Sequence, residues 1–240
     1  MKEFAAKRPI IFEIVLIVVA FALAFAVSAA CQILGSANSD FNISVARILV
    51  ALLLIAIFHS CFDWKRQFSG ALIALPALLF VAWNIANHYL SHGAFAAPSA
   101  EIVILGIAPA LFEEILFRGI FIHNLKASGK SDMFALLVSA AIFGLIHLTN
   151  AVSGDLLNAL VQTGYSTVVG LVFGAVYIKS GDLASLIVIH AAIDITNRIF
   201  MGATSSPTIA VAIFIALLVV EIAYALLIVS RKPKKADNAD

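Results

Sequence analysis

Glu113 and Glu114 are adjacent, and Arg118 follows within the stretch Ile102–Ile122, which is otherwise apolar enough to insert into a bilayer. Each ionisable group near a membrane centre costs roughly 2.5–3.5 kcal/mol on insertion scales, so three of them close together point to a functional site facing protein or water. Residues four apart on an α-helix share a face, which lets Glu114 and Arg118 pair. Glu113 then points about 100° away, free of that pairing. One carboxylate would be held ionised by the guanidinium, leaving the other available as a general base. A buried salt-bridge cluster that ties helices together is the structural alternative.

Two further pairs at the same one-turn spacing follow. Phe143 and His147 end one apolar segment, and His190 and Asp194 lie within another, with Asn197 and Arg198 beyond them. A carboxylate one turn from an imidazole can orient it, pair with it or share a proton with it; Asp194 could equally pair with Arg198. His59, Asn84, Asn87 and Glu221 are isolated polar insertions with no partner visible in the sequence. No His-Glu-x-x-His or Gly-x-Ser-x-Gly pattern, membrane-embedded aspartate pair or Gly-rich phosphate loop is present. Serine hydrolysis and ATP-driven transport therefore have no support.

The elements that must position these residues are membrane helices. The chain has 240 residues, 62% hydrophobic and 12% charged, with a mean hydropathy of +1.06. Soluble domains are roughly half apolar and a quarter charged. The net charge of +1 gives no argument for nucleic-acid binding. Segments at 10–34, 43–62, 71–90, 101–123, 132–149, 155–178, 182–200 and 207–230 are each long enough, or nearly so, for a hydrocarbon core about 30 Å thick. The expected fold is an all-α polytopic bundle of about eight transmembrane helices, a single membrane domain over 1–240 with its motifs in 100–200 and a polar tail at 231–240.

Charge sets the orientation. Lys2, Lys7, Arg8, Lys65, Arg66, Lys126, Lys130, Lys179 and the cluster Arg231-Lys-Pro-Lys-Lys235 fall on alternate connections, whereas 35–42, 91–100 and 150–154 contain neither Lys nor Arg. The positive-inside rule then places both termini in the cytoplasm, with Arg198 as the exception. The basic tail reads as a stop-transfer flank. Ser28-Ala-Ala-Cys31 resembles a processing site only faintly, and the apolar run before it exceeds a signal-peptide core, so the first segment is read as an anchor helix. Cys31 and Cys61 fall at opposite membrane faces and are expected to be free. Gly164, Gly170 and Gly174 suggest close helix packing, while Pro76 and Pro109 suggest kinks. By helical rise, Glu113 and His190 come out about 15 and 12 Å from the cytoplasmic ends of their spans, and His147 about 22 Å, a gap that spacing alone does not close.

The ordered set Glu113-Glu114-x-x-x-Arg118, Phe143-x-x-x-His147 and His190-x-x-x-Asp194 on three separate spans resembles the CPBP family. Its members are CAAX-processing and bacteriocin-processing intramembrane endopeptidases, also called the type II CAAX prenyl endopeptidase or Abi family. The resemblance covers roughly residues 100–200. It implies a glutamate-dependent, metal-independent protease with its site within the membrane and open toward the cytoplasm. Glu113 would activate a water with help from His147, His190 and Asp194 would line the oxyanion side, and Glu114 and Arg118 would support the site. The family position held here by Asp194 is asparagine or aspartate. An aspartate donates a hydrogen bond only when protonated, so orienting His190 is its alternative role. No cofactor is implied, and zinc held by glutamate and two histidines is the runner-up chemistry. The expected partners are the lipid bilayer and a peptide or membrane-tethered protein substrate, prenylated or not. Short loops favour a bacterial cytoplasmic membrane. A bacteriocin-immunity or scaffold protein that binds without cutting is the competing function, and an ion-coupled transporter comes last, since no internal repeat supports it.

Overall fold

The computed structural model describes residues 7–90, 94–97, 99–153, 155–201 and 208–230. Lys2 and the basic tail from Arg231 to Lys235 lie outside the described residues. Apolar runs bounded by polar caps become helices where the sequence places them. They are α1 (Pro9–Ile33), α2 (Ser39–Ile57), α3 (Ala71–Leu90), α4 (Ala100–Glu114, continued by Ile115–Ile122 and His123–Ala127), α5 (Asp132–Ile146), α6 (Leu156–Ser180), α7 (Ala184–Ile199) and α8 (Thr208–Ser230). The Asn38, Ser99, Ser131 and Asp155 side chains each accept a hydrogen bond from a backbone N–H in the first turn of α2, α4, α5 and α6, groups that a helix start would otherwise leave unpaired. α1 runs unbroken through Ser28 and Cys31, and both cysteines are free.

Six of these helices are long and apolar enough to cross a bilayer. The two that fall short are α4 and α7, which carry most of the candidate site. α7 has 16 residues, which at the helical rise is about 24 Å, less than the hydrocarbon thickness. α4 departs from α-geometry midway. By length and composition, the six spans make this a multi-pass integral membrane protein.

The kinks only partly follow the prolines. Pro76 lies in a 3-10 turn, Leu75–Ala77, that interrupts α3, as a missing backbone donor should cause. Pro109 is accommodated inside regular helix. The distortion in α4 comes later, as a π-helical segment over Ile115–Ile122 that the sequence does not announce. Hydrogen bonds to the fifth residue back widen such a turn, a geometry enriched at functional sites.

Small residues decide which helices meet. At Gly106 a Cβ would lie 2.4 Å from Ile195 Cγ1 and 3.3 Å from the Ala191 carbonyl, so α4 and α7 touch almost backbone to backbone. Gly144 of α5 presses on Thr163 and Thr167 of α6, and Gly170 and Gly174 of α6 press back on Ala140 and Leu136 of α5. Gly164 does not share that packing role: nothing lies within 4 Å of its Cβ position, and it borders a cavity. One contiguous core runs from Ile17 to Val229, with Phe117, Ile120, Phe121, Ile122 and Leu125 fully buried in the lower half of α4. Outside the helices, Ala94–Phe95 and Phe200–Met201 form a two-residue antiparallel pair that joins the start of α4 to the end of α7.

Candidate functional site

The centre of the site is the His190 ring. Its Nδ1 lies 2.7 Å from Glu114 Oε1, and Arg118 Nη1 donates to that same oxygen at 2.9 Å. An oxygen already accepting from a guanidinium leaves the imidazole to donate, so Nδ1 carries a proton and Nε2 faces the other way. On that side Glu113 Oε2 and Asp194 Oδ2 each stand 3.9 Å from Nε2, beyond hydrogen-bond range. The adjacent glutamates therefore diverge as helical geometry requires and reach opposite edges of one ring.

Glu114 holds the ring at Nδ1 from α4, and Asp194, one turn along the same helix as His190, stands at ion-pair distance from Nε2. Asp194 does not pair with Arg198, since no ion pair between them falls within 4.0 Å. The Glu114–Arg118 pair forms as the spacing predicts, even with Arg118 inside the π-helical segment.

Arg118 is 1% exposed. Its guanidinium carbon sits 4.4 Å from the Phe143 ring centroid and 5.4 Å from that of Phe173. An aromatic face attracts a desolvated cation, which gives the phenylalanine of the Phe-x-x-x-His spacing a physical purpose. Phe143 also meets the His147 ring edge-on at 5.3 Å and lies 6.2 Å from His190, so one ring covers the cation and spaces the two imidazoles. Phe173 of α6 belongs to the same cluster, 5.8 Å from His190. The sequence reading missed it, because an apolar residue in an apolar span carries no signal.

His147 follows the last α-helical residue of α5 and begins a 3-10 segment, His147–Ser153. Its Nε2 is buried without a partner. The depth gap estimated from spacing closes because Cβ atoms tilt toward a helix's N-terminus. α4 and α5 run in opposite directions, so Glu113 leans toward one membrane face and His147 toward the other, and they converge. Glu113 is 5% exposed and accepts no hydrogen bond among the described residues.

Glu113, His147, His190 and Asp194 line one cavity of about 450 Å³. The rest of its wall is mainly polar, with Arg47 of α2, Asn150, Gln162 and Arg198, and is completed by Phe21, Pro109 and Ile146. Arg47 is a second residue missed: an arginine within an apolar span is itself a signal, and it has no motif around it. A larger cavity of about 880 Å³ shares His147, Gln162, His190, Asp194 and Asn197 with the first, and is otherwise faced mainly by apolar side chains of α3, α6 and α8, including Trp83, Tyr165, Phe214 and Leu218. The two imidazoles thus form part of the partition between a polar and an apolar chamber, with Glu113 on the polar side only.

Of the isolated polar residues, Asn84 donates to the Ile193 carbonyl and to Thr196 Oγ1, fastening α3 to α7. Asn87 lines the larger cavity. His59 is exposed in the turn that follows α2, and Glu221 is fully buried in α8 and lines neither chamber. Among the described residues no group of three or more His, Cys, Asp or Glu side chains is arranged to hold a metal ion.

Residues 95–196 match the family model described as Type II CAAX prenyl endopeptidase Rce1-like, a stretch that contains all three spaced motifs. No curated protein and no solved structure matches the chain.

Proposed function

We propose that this chain, whose residues 95–196 match the type II CAAX prenyl endopeptidase Rce1-like family model, is an intramembrane endopeptidase in which Glu113 activates the water that cleaves a peptide bond. The observation that carries this reading is the common cavity: one carboxylate without a hydrogen-bond partner and two imidazoles face the same polar space inside a membrane bundle. Hydrolysis needs a base for the water and a donor where negative charge develops on the carbonyl oxygen. Glu113 takes the water proton, and His147, whose Nε2 has no other partner, helps to hold the water. The hydroxide oxygen attacks the carbonyl carbon as the carbonyl π electrons move to oxygen. His190, held at Nδ1 by Glu114 and carried as an imidazolium, offers Nε2–H to that oxyanion. Collapse breaks the C–N bond, and Glu113 returns its proton to the leaving amine. Asp194 stands beside Nε2 as a counter-charge that favours the donating form of the ring.

A peptide or membrane-tethered substrate would lay its apolar part in the larger chamber and its scissile bond at the partition, and a bacterial cytoplasmic membrane is the proposed location. The reaction is metal-independent in this reading. Glu113→Gln keeps the side-chain volume and removes the base, so it is expected to lower cleavage about 10²–10⁴-fold with unchanged membrane abundance and melting temperature. Cleavage that survives the substitution ends this reading in favour of a binding or immunity protein. A strong chelator is expected to leave activity intact; its loss, restored by zinc, would convert the mechanism to the metal-assisted one.

A further inference from the structure

The resemblance implies a site open to the cytoplasm. The chamber wall comes instead from the other half of the bundle: the early turns of α2 (Arg47), α4 (Pro109) and α6 (Gln162), and the segments where α5 and α7 end (Thr149, Arg198). Thr149, Asn197 and Arg198 are exposed there. In the opposite direction the path is filled. Glu114 and Arg118 are buried beneath the cavity, followed by Phe117, Phe121 and Leu125 at zero exposure. The filled end carries Lys65, Arg66, Lys126, Lys130 and Lys179, whereas the loops at the open end hold no Lys or Arg. Basic loops stay in the cytoplasm.

Arg47 and Arg198 run against that charge rule, and both line the polar chamber. Neither is within ion-pairing distance of a carboxylate among the described residues. Arg47 stands about 12 Å into its helix, at a depth where an unpaired cation is costly. Two such cations lining one polar cavity are suited to bind carboxylates that arrive from outside.

We infer that the catalytic chamber opens to the extracytoplasmic face and that Arg47 and Arg198 select a carboxylate-bearing peptide segment presented from that side. This rests on the protease reading for its meaning, but the tests do not require cleavage. In a Cys31→Ser, Cys61→Ser background, Thr149→Cys in intact cells is expected to react with a membrane-impermeant maleimide. Lys65→Cys is expected to react only in inverted vesicles. Labelling of Thr149→Cys only in inverted vesicles overturns the sidedness.

For the selection, Glu113→Gln protein in detergent is titrated with three fluorescent peptides of one apolar sequence: amidated with two Glu, amidated with two Gln, and with two Gln and a free C-terminus. A carboxylate peptide is expected to bind about tenfold more tightly than the neutral one, and Arg47→Gln with Arg198→Gln to erase the difference. Which carboxylate peptide wins tells side-chain from terminal recognition. Equal binding of all three, or a preference that survives the double substitution, overturns it. Cleavage by Glu113→Gln equal to that of the parent would remove the protease reading while leaving both results standing.

Discussion

Two kinds of helix share this bundle, and they handle carboxylates differently. In α4, Glu114 is fully buried and shares an oxygen between Arg118 and His190, and it is the Arg118 guanidinium that lies against two phenylalanine rings. In α8, Glu221 is equally buried, but neither of its oxygens has a partner. α8 is a long, uniformly apolar span with 17% of its most apolar window buried, while α7 is too short to span by itself and is clamped against α4 through Gly106. Membrane solvation supports α8. The motif helices rely on one another: Glu114 Oε2 and Arg118 Nη2 are already buried without a partner, so losing either member of the pair leaves a buried charge uncompensated.

The sharpest way to break the comparison is to remove one partner of the clamp. Arg118→Met fills much of the same volume but leaves Glu114 charged and buried, which should cost about 3–5 kcal/mol. The expected observation is a large drop in melting temperature in detergent together with loss of cleavage. A variant as stable as the parent would mean that the pair does not organise the site.

A smaller effect is expected where a carboxylate serves loops rather than the site. Asp182 has no exposure, and its oxygens accept from the backbone N–H groups of Phe68, Gly70 and Ser185, pinning the α6–α7 connection to the loop before α3. Burial by itself would push this carboxyl up, but the hydrogen bonds from Ser185, Phe68 and Gly70 outweigh it and hold the group below its ordinary value. A carboxylate depressed in the folded state contributes stability that is fully present above the unfolded value, about pH 4, and is lost as pH falls through the lower folded value. Asp182→Asn should therefore destabilise by about 1–3 kcal/mol near pH 7 and flatten the acid limb of the stability curve. An unchanged acid limb would assign that pH dependence elsewhere.

Glu221→Leu is expected to have the least effect, and to have the opposite sign. Replacing a buried acid that has no partner should leave cleavage unchanged and stability equal or higher by about 1 kcal/mol. Loss of activity in this variant would place Glu221 within the catalytic network and erase the distinction between the two helix types.

Much of this was legible in the sequence, for particular reasons. Each span is found because insertion demands apolar length, and the Glu114–Arg118 contact because i,i+4 geometry is local. The convergence of His147 with Glu113 was not legible, since it depends on opposite side-chain tilt in antiparallel helices. Nor was Phe173, whose role exists only through space, or Arg47, whose relevance needed the chamber wall. The role of Glu114 as the partner of His190 crosses from α4 to α7 and has no linear trace. Gly164 shows the reverse error: a small residue in a spaced series suggested packing, yet it faces open space.

The π-helical segment makes the two ends of α4 separable in phase. Each widened turn takes up chain that an ordinary helix would have used to rotate onward, so the face shown by Glu113 and Glu114 does not dictate the face shown by Asn124. That residue donates to Glu13 of α1 at 2.6 Å, anchoring the lower half of the span. Deleting a single residue between Gly119 and Ile122 would rotate everything after it by about 100° and swing Asn124 away from α1, while the residues before the deletion kept their own register.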